Sequence, residues 1–510
     1  MSHSISALIA ALQTPAFYPH LTTEAIALVQ THVSYVFLTG DYAYKLKKAV
    51  DFGFLNFSTL EKRKHFCEVE LELNQALTEA LYLEVLPITY DGQTYGFNGA
   101  GEVVEYAVKM RQFPQETLLS EMFAAGTLTE THMEQLGRAV ADFHGQATTN
   151  DYILSFGEIP KIRQAIDENY AQTAQYIGTV QTQARFEQTK DFTDNFFGSR
   201  EEIFAQRRQE RKIKECHGDL HLRNICLWHD QMQLFDRIEF NEPFRFVDTM
   251  YDVAFTVMDL DARGAQTLGN AFLNTYVERT GDWEGLQVLP LYLSRQAYVR
   301  AKVTSFLLDD QAIAPEAKAE AAQTATAYYE LAWQYTQRSQ GKVVIMCGLS
   351  GSGKSTVARS YARRENGIQI RSDAVRKHLG NILLDATGDD SLYSPGMTEK
   401  TYGRLQELGL LLAKQGFTVI LDAKYDTVVQ RKNVINSCAA QGIPYEIFHC
   451  QAPLPVLAQR ITSRTDDISD ATADLLTAQQ EQVEGFTTDE LPRVKTIDTT
   501  QGIETILKQL

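Results

Sequence analysis

At 510 residues, with 44% of them apolar and 22% charged, the chain is too long for one core and too apolar for a disordered polymer, and its length implies about two to four domains. A formal net charge of -17 disfavours a broad nonspecific hold on nucleic acid or an anionic membrane and leaves local basic clefts for such ligands. The six cysteines form no CxxC pair and no zinc spacing, the Met-Ser-His-Ser start lacks an export pattern, and no apolar run approaches about 18 residues, so a reduced, cytoplasmic protein without a membrane partner is expected.

Residues 5–12 and 22–32 carry helical apolar spacing and predict a small helical lead-in. Residues 33–39 and 42–48 are β-prone runs joined across Gly40-Asp41, a hairpin signal. Alternation along the second run places Ala43, Lys45 and Lys47 on one face and Tyr42, Tyr44 and Leu46 on the other. Residues 60–77 read as a helix whose inward stripe is Phe66, Val69, Leu73 and Leu77, with Glu70 inside that stripe. A carboxylate on an apolar face requires a cationic partner. Strand-like runs follow at 82–88 and 103–110. From about Leu128 the pattern becomes mainly helical, at 133–144, 162–176 and 186–214, and the switch marks a two-lobed construction.

The second lobe contains CHGDLHLRNICLW (216–228), QLFDRIEF (233–240) and FVDTMYDVAF (246–255). Asp219, Asn224 and Asp236 interrupt apolar strands at short intervals, an arrangement that brings a base and two metal ligands together for phosphoryl transfer. Helical periods then recur at 265–280, 289–308 and 315–338. The polar Ser339-Gln340-Gly341 marks a boundary between a domain at 1–338 and one at 341–510.

The second domain opens on the buried-strand run 343–347, followed by GLSGSGKST (348–356) and a helix-compatible stretch. That is the strand, glycine-rich turn and helix of a phosphate-binding P-loop. Gly348, Gly351 and Gly353 let backbone N–H groups turn inward, with Ser350, Ser352 and Thr356 completing the cradle. Lys354 neutralises the β/γ oxygens of ATP and Ser355 holds Mg²⁺.

Through HGDLHLRN and FDRIEF, the first 338 or so residues resemble the aminoglycoside phosphotransferase and choline kinase branch of the protein-kinase-like fold. The resemblance implies that Asp219 deprotonates a substrate hydroxyl, that Asn224 and Asp236 carry Mg²⁺, and that Lys45 grips the α/β phosphates with Glu70 as its partner. Lys47 shares that strand face and is an alternative to Lys45. Asp248 and Asp252 are similar to acidic positions that brace the catalytic loop, and Thr39-Gly40-Asp41 stands where a GxGxxG is absent.

Residues 341–510 resemble small P-loop kinases of the polynucleotide kinase and zeta-toxin type. The strand at 367–370 runs into RSDAVRK, so Asp373 falls at the carboxyl end of a parallel strand as the expected base, with Arg376 one turn on for a polar or anionic part of the acceptor. Asp422, closing the run 417–421, resembles a Walker-B carboxylate for Mg²⁺. Arg460 and Arg464 look like lid arginines, and Ser469-Asp470-Ala471 resembles a segment near the adenine. In this order the two matches resemble the bifunctional aminoglycoside phosphotransferase/ATP-binding proteins of bacteria. They imply an α+β bilobal domain fused to an α/β P-loop domain with a parallel sheet, two ATP·Mg²⁺ sites and transfer to a hydroxyl of a small-molecule or nucleotide acceptor. The competing readings are a polynucleotide or RNA-end kinase, with a basic channel from Arg371, Arg376, Lys377 and Arg404, and an NTPase governed by a nucleotide-sensing pseudokinase.

Overall fold

The computed structural model describes residues 4–78, 80–311, 313–337, 339–463, 468 and 475–510. The chain packs as two compact units, Met1–Leu128, Gln146–Ile162 and Phe204–Thr256 in the first, and Thr129–Gly145, Arg163–Ile203 and Val257–Leu510 in the second. This division does not fall at the polar segment 339–341. The helices between Val257 and that segment pack in the same unit as the P-loop.

In the first unit, β1 (Ala27–Gln30), β2 (Ser34–Leu38), β3 (Tyr42–Lys47), β4 (Tyr82–Tyr90), β5 (Tyr95–Phe97) and β6 (Glu102–Arg111) form an antiparallel sheet in the order β1-β2-β3-β6-β4-β5. The expected alternation of β3 holds. Tyr44 and Leu46 join a core with Leu8 and Leu12 of the opening helix Ile5–Leu12, while Lys45 and Lys47 bond Glu70 of the helix Leu60–Gln75. Thr59 caps that helix by accepting a hydrogen bond from the Lys62 N–H at 3.3 Å.

Two local expectations are corrected. Residues 27–30, expected within a helix, are β1, because β2 alongside offers backbone partners that outweigh a short helical period. The most buried line of the helix Leu60–Gln75 is Arg63, Cys67, Glu70 and Asn74, whereas Phe66, Val69, Leu73 and Leu77 are half-buried. Polar groups occupy the inner line because each finds a partner there: Arg63 pairs with Glu105 at 2.8 Å, and Asn74 accepts from the Arg237 N–H at 3.0 Å.

The expected helix at 186–214 is instead Gln183–Ser199 and Glu201–Gln209, followed by β7 (Ile213–Glu215). Arg211, at a φ of +56°, turns the chain into that strand. Two further antiparallel pairs carry the central loops: β8 (Ile225–Trp228) with β9 (Gln231–Leu234), and β10 (Phe246–Asp248) with β7.

The second unit contains β11 (Lys342–Cys347), β12 (Ile368–Arg371), β13 (Thr418–Asp422), β14 (Tyr445–Gln451) and β15 (Val494–Asp498), all parallel, in the order β12-β13-β11-β14-β15. Val344 and Met346 of β11 pack with Val357 and Tyr361 of the helix Lys354–Glu365 and with Ile420 and Phe448 of neighbouring strands. A strand buried on both faces must be apolar throughout, as Val343–Cys347 is. Its central place puts the loops after β11, β12 and β13 at one edge of the sheet.

Candidate active sites

The first unit builds a chain of alternating charges. Lys45 Nζ donates to Glu70 Oε1 at 2.7 Å and also to Asp236, while Lys47 Nζ donates to Glu70 Oε2 at 2.6 Å and also to Glu239. Glu70 is fully buried. Burial alone would raise its carboxyl, but the two ammonium groups outweigh burial and hold it at about 2. For both lysines burial works downward, and the flanking carboxylates, Asp236 first for Lys45 and Glu239 first for Lys47, lift them above the usual lysine range. Glu239 is itself raised, burial exceeding the pull of Lys47.

Asp236 has a φ of +62°, a strained conformation for a residue with a side chain, and its N–H donates to the Tyr82 hydroxyl at 3.2 Å. Asn224 Nδ2 donates to the Asp219 carbonyl at 3.0 Å and to Asp219 Oδ2 at 3.1 Å, and His221 Nε2 lies 3.5 Å from the same carboxylate oxygen. The Phe235 N–H donates to the Asn224 carbonyl at 3.0 Å, and His217 Nε2 donates to the Phe235 carbonyl at 2.9 Å, so the two acidic loops are tied together. Burial pushes the His217 imidazole down, favouring the neutral ring whose Nδ1 accepts the Asp219 N–H at 3.3 Å.

Asp252 braces the loop from behind, accepting the N–H groups of His217 at 2.7 Å and Gly218 at 2.8 Å. Asp248 is bound by Arg207 at 2.5 and 2.6 Å and accepts the Met250 N–H at 2.9 Å, which starts the next helix. Gly218 sits at a φ of +88°, where a Cβ would lie 2.6 Å from the Phe244 carbonyl oxygen. Asp252→Ala is expected to destabilise this unit by about 1–3 kcal/mol for each stranded N–H. A denaturant titration of the full chain would measure it, and an unchanged midpoint would remove Asp252 from the bracing role.

In the second unit, the loop after β11 turns through Gly348, Gly351 and Gly353 at φ values of +137°, +75° and +83°. A Cβ on Gly348 would meet the Cys450 carbonyl oxygen at 2.4 Å, and one on Gly351 the Leu457 carbonyl oxygen at 2.7 Å. Lys354 Nζ donates to the Leu349 carbonyl at 2.8 Å. Burial holds this ammonium below the usual lysine value, and Asp422 offsets only part of that. The buried Ser352 hydroxyl has no hydrogen-bond partner among the described residues. Together the inward-turned backbone, the desolvated cation and the orphaned hydroxyl fit a polyphosphate.

Gln369 of β12 donates through Nε2 to Asp422 Oδ2 at 2.8 Å and to the Ser355 backbone carbonyl at 3.3 Å, tying the strand end of Asp422 to the backbone of the P-loop helix. Ser355 and Asp422 also line one cavity, and a hydroxyl with a carboxylate is a donor set that suits a hard cation. Asp373 lies in the first turn of the helix Ser372–Leu379. Arg376, only 7% exposed, donates to the Leu392 carbonyl at 3.0 Å and to Thr398 Oγ1 at 3.2 Å.

Lys354, Ser355, Asp373, Arg376, Asp422 and Arg460 line one cavity of about 780 Å³. Arg460 is held by the Thr499 hydroxyl at 2.9 Å and the Thr499 carbonyl at 2.7 Å, against the P-loop. Arg464 and Ser469-Asp470-Ala471 lie outside the described residues. Sequence reasoning missed Glu239, Tyr82, Gln369 and Thr499. Glu239 alone left a signal, as a second acid three residues after Asp236.

Residues 343–486 match the family model of an AAA domain. The chain is 31% identical over 465 residues to the uncharacterized protein Rv2004c of Mycobacterium tuberculosis, a match covering 90% of this chain and 91% of that one. It is 32% identical over 133 residues to an adenylyl-sulfate kinase of Myxococcus xanthus, covering 24% of this chain and 64% of that protein. A choline/ethanolamine kinase family protein from Mesorhizobium loti is similar at 11% identity, covering 64% of this chain and 98% of its own, with a TM-score of 0.39. With the mycobacterial match running through both regions, the chain belongs to the family of that protein, and its C-terminal region is a P-loop domain built on a parallel sheet.

Proposed function

We propose that the chain transfers the γ-phosphate of ATP to hydroxyl groups of small acceptors at two separate sites, one built from residues before the polar segment 339–341 and one from residues after it. The observation that carries this reading is the single cavity in which a P-loop lysine, a paired serine and carboxylate, and a second carboxylate, Asp373, face one space. Asp373 takes the proton of the acceptor hydroxyl as the acceptor oxygen bonds to the γ-phosphorus and the bond from that phosphorus to the β–γ bridging oxygen breaks, ADP leaving with the electron pair, while Lys354 and Arg460 hold the charge on the phosphate oxygens. Arg376 orients the acceptor. In the other site Asp219, oriented by Asn224, takes the proton, and Lys45, held by Glu70, grips the phosphates. Mg²⁺, held by Ser355 and Asp422 in one site and by Asn224 and Asp236 in the other, neutralises phosphate oxygens when bound.

A small acceptor is favoured over a nucleic-acid end because two basic residues of the supposed channel are engaged within the protein. Arg404 pairs with Glu284 and with Glu407 at 2.9 Å, and Lys377 donates to the Leu384 carbonyl at 2.9 Å. A cytoplasmic setting agrees with six free, buried cysteines. Among the described residues no helix is long and apolar enough to cross a membrane. The test is a metabolite extract incubated with ATP and the full chain, followed by mass spectrometry. Products one phosphate heavier are expected, some absent with Asp373→Asn and others absent with Asp219→Asn. An extract unchanged by the wild-type protein would contradict the proposal.

A further inference from the structure

Strand β12 ends the parallel sheet, so its outer backbone groups need partners from elsewhere. They find them on the helix Gln266–Thr280, which precedes the polar segment 339–341 but packs in the same compact unit as the P-loop. Asn274 acts as a substitute neighbour strand: its Oδ1 accepts the Gln369 N–H at 2.8 Å and its Nδ2 donates to the Gly367 carbonyl at 3.0 Å. Asn270 Nδ2 reaches the same carbonyl at 2.9 Å. One turn beyond Asn274, Glu278 faces the end of the strand. Its carboxylate lies 3.7 Å from the Arg371 guanidinium, and its carbonyl accepts from His378 Nε2 at 2.8 Å.

The same strand that this helix fixes carries Gln369, which holds Asp422, and ends at Arg371, which lines the cavity two residues before Asp373. We propose that Glu278 is a positioning residue of the P-loop site: from outside the P-loop fold proper it holds the Arg371 side chain in place at the acceptor end of the cavity. This rests on the reading of Asp373 and its surroundings as the acceptor end. A guanidinium that loses this carboxylate loses one of the contacts that direct it, and the acceptor end holds its cation less firmly.

The test is phenylglyoxal labelling of the full-length protein, with the rates at Arg371 and Arg376 read separately by peptide mass spectrometry in wild type, Glu278→Gln and Glu278→Asp. The affinity for a fluorescent ATP analogue is measured on the same samples. Labelling of Arg371 is expected to rise about three- to tenfold in Glu278→Gln and to return most of the way in Glu278→Asp. Arg376 labelling and analogue affinity stay within about twofold. An unchanged Arg371 rate in Glu278→Gln, or a parallel rise at Arg376 that Glu278→Asp does not reverse, would overturn the proposal. The labelling requires no turnover, so it separates this inference from the assignment of Asp373, which the Asp373→Asn products test.

Discussion

Asp373→Asn is expected to lower turnover at the P-loop site about 10²–10⁴-fold, the range for losing a positioned general base, while the affinity for an ATP analogue changes by less than about twofold. The split follows from where the side chain sits. Asp373 lines the cavity from the helix after β12, whereas the phosphate cradle is built from the loop after β11 and the start of its own helix. Asparagine keeps the size and the place in the first helical turn but accepts no proton. Initial-rate kinetics on the acceptor that the extract screen identifies, together with analogue binding, would check it. Retention of more than about a tenth of wild-type turnover would reassign the base, and loss of analogue binding would assign Asp373 to the nucleotide instead.

Glu70→Ala is expected to destabilise the first unit by about 1.5–3 kcal/mol, because it removes the carboxylate that two ammonium groups share and leaves Lys45 to Asp236 and Lys47 to Glu239. Its pH dependence has a definite sign. The folded-state value of Glu70, about 2, lies below the ordinary 4.5, so its contribution is present in full above that ordinary value and declines as pH falls through 4.5 toward 2. The gap between wild type and Glu70→Ala in urea midpoints is therefore flat from pH 8 to about 5 and narrows below. A gap that stayed constant into acid would mean that the lost carboxylate acted through packing and not charge. Glu70→Gln, which preserves volume, is expected to lose nearly as much, and analogue binding at the Lys45 site should weaken in both variants.

What the sequence made legible was whatever follows from local pattern. The P-loop is a contiguous strand, turn and helix, so its glycine positions and Lys354 were readable without tertiary information. The alternation of β3 likewise placed Lys45 and Lys47 on the face that meets Glu70. The failures occurred where a partner distant in sequence decides the outcome. Residues 27–30 become a strand because β2 pairs with them, and the inner line of the helix Leu60–Gln75 is polar because Glu105 and the Arg237 N–H are there to satisfy it. Gln369 reads as an ordinary strand residue until β13 brings Asp422 beside it, and the role of Asn274 depends on β12 being a sheet edge. No window of sequence holds those juxtapositions.

The reach of the helix Gln266–Thr280 onto β12 also bears on how such a chain is cut for study. A fragment beginning near residue 341 would expose the Gln369 N–H and Gly367 carbonyl that Asn274 now satisfies, and would release Arg371 from Glu278. The full chain is the appropriate object for measurements on the P-loop site.

The central claim is that one polypeptide carries two independent nucleotide sites, and the direct test is the stoichiometry of a non-hydrolysable ATP analogue with Mg²⁺ by calorimetry on the full chain. Two molecules are expected to bind per wild-type chain and one per chain in each of Lys45→Ala and Lys354→Ala, with the remaining site at its wild-type affinity. One molecule bound to the wild type, or a single substitution that removes both, would contradict the account.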